Sequence, residues 1–165
     1  MSEIYIYTGE KGIGKSTLLQ KLFLKKENVG GILQPRLDGI KYLVDIESGE
    51  KRKLELDENE SGAETISIGS YLFSAETFLW GQQKLNDAFT STNRLLIVDE
   101  IGPLELNGSG LEPALTKIIS SSIDLKIKLL LVVRPKLIEQ VVLNYNLNSP
   151  IVFHHGENFP QRLII

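Results

Sequence analysis

Near the start of the chain, Gly9-Glu10-Lys11-Gly12-Ile13-Gly14-Lys15-Ser16 sets glycines, a lysine and a hydroxyl at the spacing G-x-x-x-x-G-K-S. Phosphate oxygens can be enveloped only where backbone N–H groups converge, and side chains at Gly9, Gly12 and Gly14 would obstruct that approach. Lys15 then brings a compact charge to β- and γ-phosphates, and Ser16 offers its hydroxyl to Mg²⁺. Thr17 is an extra donor toward the α-phosphate. Glycine makes up roughly 7 % of average sequence, so a chain of this length matches the pattern by accident less than about once in a hundred. Residues Gly9 to Thr17 are therefore expected to bind a nucleoside triphosphate such as ATP or GTP.

A second constellation lies downstream. Leu95-Leu96-Ile97-Val98-Asp99-Glu100 is an apolar run that ends in two carboxylates. In open α/β sheets ligands gather at the carboxyl ends of strands, which is where such a run would deliver both acids. Asp99 is expected to hold the magnesium together with Ser16, and Glu100 to polarise a water as general base. One carboxylate suffices for the metal, so the second argues for hydrolysis. Phosphoryl transfer also calls for a cation on the γ-phosphate beyond the loop lysine. Arg134, at the end of the apolar run Ile127 to Val133, and Arg36, after a short strand, are the candidates. The pair His154-His155 has no third ligand at metal-binding spacing and reads as structural or exposed.

The elements needed to position these groups can be read in outline. Residues 3–8 read as a strand, and Lys15 to Lys26 as an amphipathic helix with Leu18, Leu19, Leu22 and Phe23 on one face, closed off by Gly30 and Gly31. Ile32 and Leu33 begin a short strand halted by Pro35. Ile40 to Ile46 and Arg52 to Leu56 flank a Ser-Gly turn and suggest a β-hairpin. The stretch from Asp57 to Gly69 reads as loop. Ser74 to Thr90 reads as a helix N-capped by Ser74, Leu111 to Ser121 as a helix with Pro113 in its first turn, and Pro135 to Leu143 as another. Leu95 to Val98, Ile127 to Val133 and Ile151 to Phe153 read as strands, the first two buried on both faces. Strands alternating with helices predict a three-layer α/β fold: a mainly parallel sheet, helices on both faces and a β-hairpin insertion.

Composition narrows the function classes. A chain of 165 residues suits a single domain spanning 1–165, and a net charge of −3 gives no footprint for nucleic acid. Basic residues at Lys21 to Lys26 and acidic ones at Glu55 to Glu60 read as solvated faces. With no cysteine, disulfides and zinc–thiolate sites are excluded. The apolar runs are too short to span a bilayer, and the first strand runs directly into the glycine loop, leaving no room for a secretory leader. No membrane partner and a cytoplasmic location are expected, with any protein partner unknown.

Taken together, the motifs resemble the small THEP-type, or cancer-related, nucleoside-triphosphatase family. The glycine loop lies at the extreme N-terminus, as in that family, and the acidic strand continues as Asp99-Glu100-Ile101-Gly102-Pro103-Leu104-Glu105, close to the family string Asp-Glu-Ile-Gly-Pro-x-Glu. The glycine-led segment Gly31 to Arg36 and the hairpin around Gly49 are similar as well. The resemblance implies a RecA-like P-loop NTPase fold and Mg²⁺-dependent hydrolysis of NTP to NDP and phosphate with loose base selectivity. One departure stands out: where the family often has an Asn-Arg pair near the C-terminus, this chain has Asn158-Phe159-Pro160 and then Arg162. Two other classes compete. A small-molecule or nucleotide kinase would call for an arginine-rich lid, and none follows the acidic strand. A slow nucleotide-dependent switch would need a partner.

Overall fold

The computed structural model describes residues 3–60 and 64–164. Its spine is five parallel strands in the spatial order β11 (Ile151–His154), β1 (Ile4–Thr8), β10 (Lys128–Val133), β9 (Leu95–Ile101) and β2 (Val29–Leu33). Beyond β2 the sheet turns antiparallel through β4 (Ile40–Asp45), which also pairs with β3 (Arg36–Leu37) and β5 (Lys51–Lys53). A separate antiparallel sheet is made of β6 (Glu55–Leu56), β8 (Tyr71–Ser74) and β7 (Thr65–Ile68). The architecture is mixed α/β with a mostly parallel central sheet.

Alternation along the parallel strands divides the core in two. Leu96, Val98, Leu129, Leu131 and Val133 point to one face, where they meet α2 (Ala75–Thr90), α4 (Ala114–Leu125) and Val141 of α5 (Ile138–Asn144). Leu95, Ile97, Leu130 and Val132 point to the other and pack with Leu19 and Phe23 of α1 (Lys15–Phe23). Helices therefore cover both faces, which is why these strands carry continuous apolar runs. Ser74 caps α2 by accepting from Thr77 N–H at 3.1 Å, as the sequence suggested. Trp80 and Phe78 of that helix are core residues.

Four local expectations need correction. Gly30 and Gly31 do not end α1; they lie inside β2, and the helix stops at Phe23, where Lys25 takes a left-handed conformation. Gly31 is required by close approach: at φ +123° a Cβ there would lie 2.0 Å from the Ile97 carbonyl oxygen on β9. The segment 57–69 is not all loop, because Thr65–Ile68 pairs with β8; residues 61–63 lie outside the described residues. The run Arg52 to Leu56 divides between the two sheets, its first part pairing with β4 and Glu55–Leu56 with β8. Finally, Pro113 is the N-cap of α4 rather than part of its first turn, so that helix runs from Ala114 to Leu125.

Candidate active site

The connection from β1 into α1 is the glycine loop. Gly12 and Gly14 hold φ of +81° and +99°, a left-handed backbone that opens the loop and that a side chain would strain. A Cβ at Gly9 would meet the Ile13 side chain at 2.4 Å and His155 at 3.1 Å, so the wall of the loop is closed at that point. Inside it, the Lys15 ammonium donates to the Gly9 and Glu10 carbonyl oxygens, both at 2.7 Å. Burial lowers the Lys15 pKa, while Asp99 and Glu100 pull it back up.

Order within the sheet puts β10 between the loop strand β1 and the acidic strand β9. Arg134 follows the end of β10 and so emerges between the two motifs. Across this edge Ser16 Oγ donates to Asp99 Oδ2 at 2.5 Å, and the same oxygen accepts the Gln34 N–H at 2.9 Å. Gln34 Nε2 completes the clamp on the Asp99 carbonyl at 3.0 Å. Asp99 Oδ1 is buried with no partner. Burial, then the neighbouring Glu100, pushes the Asp99 carboxyl up to about 6, against the hydrogen bonds from Ser16 and Gln34.

A regular strand would turn Asp99 and Glu100 to opposite faces. Here β9 carries a bulge: between the pairs Leu131–Val98 and Val133–Ile101 it uses one residue more than β10, and Glu100 sits at φ +54°. The extra residue re-aims Glu100 so that one of its oxygens pairs with Lys41 of β4 and the other with Arg134, the latter at 3.2 Å. Burial raises the Glu100 pKa, but Lys41 and then Arg134 outweigh it and leave the carboxyl below its ordinary value. The chain then turns through Gly102 into α3 (Pro103–Leu106), where Glu105 accepts from the Gly102 N–H at 3.2 Å. Glu105 is buried, which pushes it up to about 7 against its backbone hydrogen bonds. The string from Asp99 to Glu105 is thus two acids on a bulge followed by a capped turn that fixes where the bulge ends.

The structure brings Lys15, Ser16, Asp99, Glu100 and Arg134 together. Arg36 is only at the margin: its guanidinium is held by Glu55 at 2.7 Å and the Gly39 carbonyl at 2.9 Å. Lys11 points away from the loop and donates to the Tyr71 hydroxyl at 3.0 Å. His155 pairs with the Tyr7 hydroxyl beside Gly9, and Arg162 is an exposed partner of Glu3, far from the loop in topology. Two site residues were missed by sequence reasoning. Lys41 alternates with Leu43 and Asp45 on the buried side of β4, and an isolated lysine on an apolar strand face was the available signal. Gln34 carried none, since its role depends on β2 lying beside β9.

Comparison with known proteins bears on this arrangement. The family described as NTPase matches residues 4–149. The chain belongs to that family. "Nucleoside-triphosphatase THEP1" of Sulfolobus acidocaldarius is 33% identical over 129 residues, covering 72% of this chain and 71% of the relative. Its namesake from Thermotoga maritima is 32% identical over 130 residues, with 72% and 69% covered. The crystal structure of THEP1 from the hyperthermophile Aquifex aeolicus shares the fold at a TM-score of 0.67 and 19% identity, over 92% of this chain and 88% of that one. The family match includes the loop, both carboxylates and Arg134, and so spans the assembled site. Among the described residues, no helix is long and apolar enough to cross a membrane.

Proposed function

We propose that this NTPase-family chain hydrolyses nucleoside triphosphates to diphosphate and phosphate with Mg²⁺, on a RecA-like P-loop fold in which residues 1–165 form one domain. The observation that carries the reading is Ser16 Oγ at 2.5 Å from Asp99 Oδ2, with the other Asp99 oxygen buried and unpartnered. These are hard oxygen donors, and one of them lacks a partner, which fits Mg²⁺. Among the described residues no group of three His, Cys, Asp or Glu side chains is set to hold a metal alone. Mg²⁺ binds through one or two protein ligands and takes the rest from phosphates and water. When bound it would neutralise charge on the β- and γ-phosphate oxygens.

The residues of the chain supply the remainder. Gly9 to Thr17 wrap the phosphates with backbone N–H groups and the start of α1, and the Lys15 ammonium exchanges the Gly9 and Glu10 carbonyls for phosphate oxygens. Glu100 accepts a proton from the attacking water. For that it must release one of its two cations, and Arg134 is the one that can leave, being 41% exposed against 10% for the Lys41 side chain. Arg134 swings to the γ-phosphate, which frees the carboxylate oxygen on the side of the substrate. Cation delivery and base release are then one movement.

Phosphate release from ATP, GTP, CTP and UTP, measured with Mg²⁺ and again with excess EDTA, tests the reading. Release from several of the four that stops with EDTA is expected. No release from any of them would refute it.

A further inference from the structure

A cavity of ≈ 290 Å³ opens beside the phosphate loop, bordered by Lys15 but not by Ser16. One water needs about 10–15 Å³ of cavity, so the space far exceeds what a single attacking water requires. It sits at the lower end of the range for small-ligand pockets, about 300–1,000 Å³. A triphosphate with its γ end at Lys15 would enter it only at the end bordered by Lys15, Glu100 and Arg134. Lys11, Lys15, Glu100 and Arg134 border the cavity, whereas Gly12, Gly14, Ser16 and Thr17 do not. A substrate with its γ end at Lys15 and its other phosphates along Ser16 and Thr17 would leave the remainder of this space open.

The walls are of the wrong kind for water alone. Tyr71 and Phe73 of β8 lie parallel, 6.0 Å apart with 5° between their planes, and Phe78 of α2 meets Phe73 edge-on at 6.0 Å. Ile68, Leu104 and Leu137 complete the apolar lining. Cations stand at the rim: Lys11 lies 5.0 Å and Arg36 5.6 Å from the Tyr71 ring centre. Aromatic walls of this type recognise a flat ring. One wall, Ile68, Gly69, Tyr71 and Phe73, comes from the small sheet β6–β8, whose Tyr71 also accepts from Lys11 of the loop.

We propose that this cavity is a second-substrate site, which takes a small aromatic alcohol of the nucleoside class and presents its hydroxyl to the γ-phosphate in place of water. The proposal rests on the triphosphatase reading of Lys15 and Asp99. In the added reaction the hydroxyl oxygen forms a bond to the γ-phosphorus, and the bond from that phosphorus to the β–γ bridging oxygen breaks. NDP leaves with the bond pair, and the hydroxyl proton passes to Glu100. The products are a phosphorylated nucleoside and NDP, and hydrolysis is the same transfer with the cavity empty.

The test incubates the full chain with Mg²⁺ and ATP labelled in its γ-phosphate, with adenosine, guanosine, cytidine or thymidine added in turn. Labelled nucleoside monophosphate from at least one, with less label in free phosphate, is the expected result. Calorimetric binding of that nucleoside to chain saturated with a non-hydrolysable ATP analogue should accompany it. Ile68→Trp, which fills the cavity from its half-exposed edge, should cut nucleoside phosphorylation by about tenfold or more while hydrolysis stays within about twofold. Leu137→Phe serves as a second filling variant read the same way. Phosphate release with no labelled nucleoside and no binding from any of the four overturns this proposal alone. So does an equal loss of both activities in the filled variants. No loss of γ-phosphate under any condition overturns the triphosphatase reading, and this proposal with it.

Discussion

Removing the Lys41 ammonium is the sharpest probe of the site's electrostatics. Its side chain is only 10% exposed and that of its partner Glu100 only 21%, so neither charge is well hydrated. At an effective dielectric near 20, unit charges about 4 Å apart attract by about 4 kcal/mol, and breaking a buried pair from one side costs about 3–5 kcal/mol. Arg134 stays on the other Glu100 oxygen, so the carboxylate is not stranded, and a cost of about 2 kcal/mol is the better figure for Lys41→Met. For a chain of 165 residues this corresponds to a fall in Tm of about 4–8 °C.

The assay is a double-mutant cycle by urea unfolding at pH 7.5, with Lys41→Met, Glu100→Gln and the pair together. The double variant should be more stable than the sum of the singles predicts by about 1–3 kcal/mol. The pH dependence has a fixed sign. Because the folded Glu100 carboxyl lies below its ordinary value of 4.5, its contribution is present above that value and fades as pH falls through the folded pKa. The gap between wild type and Lys41→Met should therefore close in acid. The same substitution raises the basicity of Glu100, so the acidic limb of NTP turnover should move to higher pH. Additive singles, within about 0.5 kcal/mol, would refute the claim that this pair is desolvated and coupled.

Lys15→Ala should abolish tight NTP binding, since it removes the loop ammonium that caps Gly9 and Glu10; unchanged affinity by calorimetry would move the phosphates elsewhere. Glu100→Gln should keep binding but lower turnover by about a hundredfold or more, read by steady-state phosphate release; wild-type turnover would reassign the base. Asp99→Asn should stop Mg²⁺-dependent turnover yet stabilise the ligand-free chain by about 1–3 kcal/mol at pH 7.5 in urea unfolding, because a carboxyl raised to about 6 disfavours the folded state above that pH. That gain should shrink toward pH 4, and its absence would mean the Asp99 charge is compensated. Gly31→Ala should cost about 3 kcal/mol or more, since its Cβ would collide with the Ile97 carbonyl; a near-neutral change would show that β2 can shift away from β9.

How much of this was legible in the sequence depends on the range of the interaction involved. Elements whose signal is local were readable: the parallel strands, because burial on both faces writes an unbroken apolar run, and α2, because its cap and its periodicity agree. The loop Gly9 to Ser16 was readable as a conformation because its backbone is left-handed at Gly12 and Gly14, which glycine at fixed spacing permits. Gly30 and Gly31 misled for the same reason. Two glycines after a helix look like a stop, and the demand they answer is made by Ile97, distant in sequence. Of the sheet β6–β8, β7 and β8 were missed because each is only four residues long and β7 is paired across a polar stretch.

The acidic pair shows most clearly where sequence stops. Asp99 and Glu100 are adjacent, and strand geometry would send them to opposite faces. Only the bulge at Glu100, seen as a register shift against β10, lets both serve the same edge. Nothing in Asp-Glu announces a left-handed glutamate. Its surroundings hold it there: Gly102 and Glu105 form a capped turn that fixes the chain directly after the bulge, and Lys41 and Arg134 reward the re-aimed carboxylate with two charges. A non-glycine residue at φ +54° carries a strain of about 1–3 kcal/mol, the same order as the Lys41 pair. The Glu100 backbone and its ion pairs are therefore coupled, and loosening the cations loosens the bulge. On that account Lys41→Met should increase hydrogen exchange at Glu100 and Ile101 while leaving Leu96 and Ile97 protected. Uniform exchange along β9 would separate the strain from the charges.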